Sequence, residues 1–174
     1  VRYDLVVRRV TPESIKLLGG TLALDFANSV DWTAEHEPVE LTDALVEPDS
    51  LDRWGARMGV AGAPSDPKEL ARARDLRADL HGIFSALARE QEPDERALAR
   101  LRSVYEEAVA AGTLARRDGG GIGLTWPHDE PRRVRFAVAA DAIALLADPA
   151  RLERLHQCPG RDCGWVFLNT SGRR

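Results

Sequence analysis

Residues 66–92 read DPKELARARDLRADLHGIFSALAREQE and carry the clearest structural signal in the chain. Asp66 can cap a helix, Pro67 suits its first turn, and Glu69 stands where a capping-box carboxylate is expected. The stretch therefore predicts a long helix, ending at about Glu92, with one face buried in a core. The side chains on that face are apolar and recur at helical spacing: Leu76, Leu80, Ile83, Phe84 and Leu87.

The segments around this helix predict further helices and one β-hairpin. A second helix from Pro93-Asp94 to Gly112 is expected to run antiparallel to the first, because the connection between them is short. Alternating apolar residues from Ile122 to Trp126, after a glycine-rich turn, predict the hairpin. The fold class is therefore α+β and mainly helical. Shorter elements are predicted as a strand over Tyr3–Val10 and as helices near Leu22–Val30, Pro48–Met58 and Val134–Leu146. In the second helix the expected inward residues are Leu98, Leu101, Tyr105, Ala108 and Val109.

The composition and charge limit the class of protein. The chain has 174 residues and is 44% hydrophobic, enough for a real core. Its net charge is −4, but residues 151–174 carry +3, which leaves −7 on residues 1–150. A basic tail attracts a phosphate backbone and an acidic body repels it. The candidate nucleic-acid contacts are Arg161, Arg173 and Arg174.

Both cysteines of the chain, Cys158 and Cys163, flank the turn Pro159-Gly160-Arg161-Asp162. Proline presets φ and glycine tolerates positive φ, so the turn can fold back tightly around an ion. Two thiolates supply half of the four ligands of a tetrahedral structural zinc site. The alternatives from the residues alone are two reduced thiols or a disulfide, and His156 is the nearest further donor.

Two motifs at opposite ends of the chain resemble a single family. The stretch from Cys158 to Ser171, CPGRDCGWVFLNTS, resembles the first half of the CGNR zinc finger, with Asn169 where aspartate is usual. The stretch from residue 19 to 30, GGTLALDFANSV, resembles the opening of the ABATE domain that precedes this finger. Ser29 stands there in place of the usual threonine.

The resemblance implies a bacterial transcription regulator made of two parts. An ABATE-like sensing domain is expected over residues 1–150, and the first half of the finger, a partial zinc-ribbon-like module, over residues 151–174. In this family an arginine-rich stretch and a second cysteine pair follow, and the sequence ends before them. Cys158 and Cys163 are therefore expected to hold one zinc ion in the intact protein, and the 174-residue chain is expected to be largely metal-free.

The resemblance also implies the partners. The finger is expected to bind DNA, with RNA as the other candidate nucleic acid, and the N-terminal domain an unknown small-molecule effector. A homodimer is one candidate assembly. Because the predicted helices have their own apolar faces, the N-terminal domain is expected to fold without residues 158–174.

Asp25, Asn28 and Trp32 are the candidate ligand-binding residues of the N-terminal domain. Asp25 and Asn28 stand one turn apart on a short helix that Thr21 can cap, and Trp32 follows closely. A carboxylate, an amide and an indole together suit a small-molecule pocket. The alternative is that Asp25 and Asn28 bond to backbone groups and brace the following loop at residues 31–47.

The motifs of several common function classes are absent. The sequence contains no Gly-x-Ser-x-Gly, no His-Glu-x-x-His, no Rossmann glycine pattern and no P-loop, so no catalytic residue is assigned. His81, beside the apolar face of the long helix, is interpreted as a packed or surface residue. No run is long enough to cross a membrane and no secretory signal is recognised, so a cytoplasmic location is expected. The alternative functions are a small-molecule-binding module without a nucleic-acid role and, in third place, an enzyme.

Overall fold

The computed structural model describes residues 9–116, 120–160 and 163–170. Within these ranges the chain forms six α-helices, one 3-10 turn at Glu40–Thr42 and two antiparallel two-stranded sheets. The predicted mainly helical α+β class is therefore confirmed. The helices are α1 (Leu22–Ala27), α2 (Ser50–Arg57), α3 (Pro67–Ala88), α4 (Glu95–Ala111), α5 (Arg133–Leu146) and α6 (Pro149–Leu152). The strands are β1 (Thr113–Arg116), β2 (Ile122–Thr125), β3 (Leu155–Gln157) and β4 (Val166–Leu168). Most of the strand predicted over residues 3–10 lies outside the described residues.

The long helix α3 begins as its sequence predicts. Asp66 is the N-cap, and its side chain accepts a hydrogen bond from the backbone N–H of Glu69 at 2.7 Å. This bond satisfies one of the free N–H groups of the first turn. Pro67 occupies the first helical position, where no N–H is needed.

The end of α3 differs from the prediction. The helix stops at Ala88 and not at Glu92. Glu90 adopts a left-handed backbone with φ of 58°, and the N–H of Gln91 turns back to the carbonyl of Ala86 at 2.9 Å. This reversal satisfies a terminal carbonyl of the helix and directs the chain into α4.

The core lies between α1, α3, α4 and α5. Leu80, Ile83 and Phe84 of α3 are fully buried, as their spacing predicts. Phe26 of α1 meets Trp54 of α2 edge-on, with ring centroids 5.0 Å apart. Helix α1 contacts both α3 and α5, so this short helix is enclosed by the longer ones.

The buried face of α4 agrees with the prediction at Leu101 and Ala108 and differs from it at Leu98 and Val109. Leu98 and Val109 were expected to point inward but are 38% and 46% exposed. The buried side chains are Ala97, Leu101 and Ala108. Helix α4 packs against both α3 and α5, and its small alanine side chains let the helices approach closely. The neighbouring helices thus select which apolar residues of α4 are buried, and the spacing of those residues predicts only part of that face.

Strands β3 and β4 pair antiparallel and pack on the helices. Leu155 is opposite Leu168, and Gln157 is opposite Val166. Val166 is fully buried and Leu155 nearly so, and both belong to the same apolar cluster as the helices. Side chains from both sides of residue 150 therefore share one core, while the division of the chain into two domains stays a prediction. We call β3, β4 and the residues between them the tail hairpin.

Candidate functional site

The two cysteines lie in the turn that joins β3 to β4, here called the cysteine turn (residues 158–163). Cys158 and Cys163 are both half-buried and unoxidised. The N–H of Cys158 donates to the carbonyl of Trp165 at 2.7 Å, and that of Cys163 donates to the carbonyl of Gly160 at 3.3 Å. A Cβ added at Gly160 would lie 3.1 Å from the Cβ of Cys163 and 3.4 Å from the sulfur of Cys158. The turn thus brings both cysteines close around one glycine.

Of this pair, Cys163 is held as a neutral thiol by its surroundings. Burial raises the pKa of the Cys163 thiol above its usual range, and the neighbouring Cys158 thiol acts in the same direction. In the described part of the chain no group of three or more His, Cys, Asp or Glu side chains is arranged to hold a metal ion. His156 is exposed and joins no such group. The two thiols fit a zinc ion by type, and they supply two of its four ligands.

Asn28 joins the helical core to the tail hairpin. Its side-chain N–H donates to the carbonyl of Val166 at 2.8 Å, and its carbonyl oxygen accepts from the N–H of Val166 at 2.9 Å. Both residues are fully buried. The asparagine amide therefore replaces a strand partner for β4 and leaves no buried backbone group of Val166 unpaired.

His81 and Trp32 hold the residue that follows the cysteine turn. Their rings stack with centroids 4.1 Å apart and an interplanar angle of 7°. The carbonyl of Gly164 can only accept, so the Nε2 of His81 carries the proton and donates to it at 2.9 Å. Gly164 has φ of 59°, and a Cβ there would lie 2.8 Å from the Cβ of Trp32. Close approach and backbone conformation therefore both require glycine.

The imidazole of His81 is neutral. Burial lowers its pKa to about 4, and the nearby charges of His36 and Arg89 act in the same direction. Its Nδ1 is buried and has no hydrogen-bond partner among the described residues. No carboxylate in the described part of the chain forms an ion pair with this ring, so protonation would leave a buried positive charge unpaired.

Further bonds surround the cysteine turn. The indole N–H of Trp165 donates to Asp31 at 2.6 Å, and the backbone N–H of Trp32 donates to the carbonyl of Cys163 at 3.2 Å. Gln157 donates to Ser85 of α3 at 3.0 Å and to Gly164 at 3.1 Å. The loop after α1 and one end of α3 thus form a socket for the cysteine turn.

The loop after α1 is itself fixed to α3. Arg77 makes a two-pronged ion pair with Asp43, with N···O distances of 2.7 and 2.8 Å, and also donates to Ser29 at 3.2 Å. Arg77 is buried, and its ion pair with Asp43 offsets the cost of burying the charge, although its Nε is buried without a partner among the described residues. This pairing positions the loop residues that contact the cysteine turn.

The three residues predicted to bind a ligand direct their polar atoms to the backbone. A carboxylate oxygen of Asp25 accepts from the N–H of Gly19 at 2.8 Å, and burial raises the pKa of this carboxyl group. The indole N–H of Trp32 donates to the carbonyl of Ala27 at 2.9 Å. With Asn28 bonded to β4, Asp25 and Asn28 bond to backbone groups as the alternative expects, but these groups belong to Gly19 and Val166 and not to the loop at residues 31–47. Their ligand-binding role stays a prediction.

A surface cavity of about 350 Å³ adjoins the cysteine turn. Trp32, Arg89, Gln157 and Cys158 are among its lining residues. Cys158 is therefore reachable from this side by further metal ligands. Arg161, Arg173 and Arg174, the predicted nucleic-acid contacts, lie outside the described residues.

Sequence reasoning missed His81, Ser85 and Gln157 as parts of this site. One signal was available for the first two, since they stand four residues apart on α3 and face the same side. Their target, the carbonyl of Gly164, is 83 residues from His81, and no local pattern reveals it.

Comparison with known protein families assigns most of the chain to one family. A family model described as "Putative stress-induced transcription regulator" matches residues 20–149. The match covers about three quarters of the chain and includes Asn28, Trp32 and His81 but neither cysteine. A search of curated proteins found no significant match. Among the described helices, none is both long and apolar enough to span a bilayer.

Proposed function

This chain belongs to the ABATE family, and we propose from that premise that it is a bacterial transcription regulator with two working parts. The helical part, over residues 1–150, senses a small molecule. Residues 151–174 begin a zinc-dependent finger that binds DNA, or RNA as the second candidate. A cytoplasmic location belongs to the same proposal, because reduced thiols persist there.

The observation that carries this proposal is the attachment of the cysteine turn to the family's own residues. Asn28, Trp32 and His81 lie inside the matched region, and each bonds to the backbone of residues 163–166. A rearrangement of the helical part would change the position of the turn, since these bonds are buried and short. Such a connection is what a sensor needs to influence a finger.

Zinc is the metal that suits the residues present. Cys158 and Cys163 would bind it as thiolates, and two more ligands complete a structural site. Zinc would supply the energy that orders the finger. The raised pKa of Cys163 means that metal binding has to displace a proton there, so zinc affinity rises with pH.

The charge distribution supports a nucleic-acid role for the tail. Residues 151–174 carry +3 against −7 for the rest of the chain. The 174-residue chain offers few phosphate contacts, so it should bind DNA weakly and lose that binding as salt rises.

Metal analysis and DNA binding on the full-length protein test the proposal. We expect one zinc per chain, lost in Cys158→Ser and in Cys163→Ser but retained in the matched control His156→Ala. Affinity for a random-sequence DNA duplex should fall with salt with a slope of about −0.9 per phosphate contacted. If metal analysis found no zinc in the full-length protein, the zinc-finger part of the proposal would be refuted. Zinc without affinity for DNA or RNA would favour the small-molecule-binding module.

A further inference from the structure

An open groove lies between the β1–β2 hairpin and α5, apart from the cysteine turn. Its volume is about 380 Å³, which is within the range of small-molecule sites. The connector at Gly59 and Val60 contributes to the lining, as does Leu22 at the start of α1. The lining thus combines two helices, a hairpin and a loop of the family-matched region.

The part of the groove lining that α5 contributes consists largely of small apolar side chains. Ala137, Ala140 and Ala144 stand at spacings of three and four residues, so their methyl groups share one side of the helix. Small side chains there leave room that a leucine or phenylalanine would fill. Val60 and Leu22 extend the apolar surface.

One face of the β1–β2 hairpin carries both its large apolar side chains and side chains that line the groove. The register pairs Leu114 with Leu124 and Arg116 with Ile122, so these four side chains share one face. Arg116 and Leu124 line the groove, while Leu114 and Ile122 are 74% and 69% exposed. The other face carries only small residues, of which Thr125 also lines the groove: Thr113, Ala115, Gly123 and Thr125. An apolar ligand in the groove would cover surface that is now in contact with water.

Two arginines give the groove a positive charge. Arg133 and Arg116 both line it, and no carboxylate of the described residues lies within ion-pair distance of either. The Nη1 of Arg133 donates to the carbonyl of Ala61 at 2.8 Å and to Nδ1 of His128 at 2.7 Å, which leaves the N–H groups of Nε and Nη2 available. Its neighbour Arg132, in contrast, is paired with Glu130 at 2.7 Å.

Among the described residues that line the groove, Asp141 is the one with a carboxylate. It accepts a hydrogen bond from the N–H of Ala23 at 2.8 Å, so it is committed to the start of α1. With Arg116 and Arg133 it leaves a net charge of +1 in the groove. That charge matches a monoanion and not a polyphosphate.

We propose that this groove binds a small amphipathic organic acid, whose carboxylate pairs with Arg133 and Arg116 and whose apolar body lies between Leu124 and the alanines of α5. A guanidinium is suited to a carboxylate because two parallel N–H groups match its two oxygens. The further statement that this acid is the effector of the protein rests on the proposed sensing function. Asp141 supplies the physical connection, since α1 begins at its hydrogen bond and is followed by Asn28, which holds β4.

Titration of the 174-residue chain with 2-naphthoate, a fluorescent aromatic carboxylate, tests the site. We expect saturable binding with a dissociation constant of about 1 mM or tighter, the affinity that ordinary ligand efficiencies give for this size. Arg133→Gln should weaken binding about tenfold or more. Ala144→Phe should weaken it similarly by filling the groove, and the exposure of Ala144 lets the variant fold. Arg132→Gln is the matched control and should bind as the original chain does.

The neutral analogue 2-naphthamide separates charge recognition from apolar adsorption. It should bind at least about tenfold more weakly than the acid. Equal binding of acid and amide, unchanged binding in Arg133→Gln, or no saturation by 2-naphthoate at a few millimolar would each overturn the proposal. The test measures ligand binding alone. If it fails in a protein that binds zinc and DNA, the proposal of a ligand site in the groove is refuted, and the proposed regulator function is unaffected.

Discussion

Asn28 and Val166 are 138 residues apart in sequence and form two hydrogen bonds, at 2.8 and 2.9 Å, in a fully buried site. The asparagine ends α1 within the motif at residues 19–30, and the valine follows the cysteine turn. The pair is therefore a fully buried connection between the family-matched region and the hairpin that carries the two cysteines. Its removal should affect stability first and the cysteine turn second.

Replacing Asn28 with alanine should strongly destabilise the protein. Both backbone groups of Val166 would lose their partners in a buried position, at a cost of about 1–3 kcal/mol for each unpaired group. We expect the free energy of unfolding, measured with urea, to fall by about 2–5 kcal/mol. Asn28→Asp keeps an acceptor for the N–H of Val166, so its free energy of unfolding should lie between those of the original protein and Asn28→Ala. A loss below about 1 kcal/mol in Asn28→Ala would show that water replaces the amide.

Deleting residues 158–174 should leave a folded but less stable body. The helices keep their own buried faces, so unfolding should remain cooperative. Val166 would no longer cover the core, and Asn28 and His81 would lose their acceptors, so stability should fall by at least about 3 kcal/mol. Thermal and urea unfolding would measure this. An unchanged midpoint would mean that the tail hairpin is only loosely attached, and loss of the cooperative transition would mean that the body cannot fold alone.

Phe84→Ala should cost about 3–5 kcal/mol of folding free energy. The ring is fully buried on the face of α3 that its spacing predicts. The matched control is Leu98→Ala on α4, where the side chain is 38% exposed and the change should stay within about 1 kcal/mol. Urea unfolding of both variants tests the assignment. Similar costs at the two positions would contradict the observed burial.

His81 should make stability depend on pH. Its pKa is about 4 in the folded protein, against 6.5 for the ordinary group, so the unfolded chain binds the proton more tightly. Stability is then full above pH 6.5 and declines as the pH falls toward 4, by about 3 kcal/mol in all.

Urea unfolding at pH 7.5 and pH 5 would measure this slope. His81→Gln removes the titrating group and should flatten it, whereas His156→Ala, at an exposed histidine, should leave it in place. An NMR titration that found a pKa near 6.5 for His81 would refute the burial of its neutral form.

The sequence was sufficient for elements whose signals are local. The N-cap at Asp66 and the apolar spacing of α3 place that helix, because a helix repeats its environment every three to four residues. The alternation of apolar residues from Ile122 to Trp126 likewise predicts β2, because successive side chains of a strand point to opposite faces. The motif around Asn28 was sufficient to indicate the family.

Only the tertiary structure decided which surfaces these elements share. The buried face of α4 depends on α3 and α5, so it passes through Ala97 and not through Leu98. The partner of Asn28 is 138 residues away, and the neutral state of His81 results from its enclosure by Trp32 and Gly164. Hydrogen bonds and desolvation act between groups that folding brings together. A single sequence shows which residues can make them, and the packing of the helices determines which ones do.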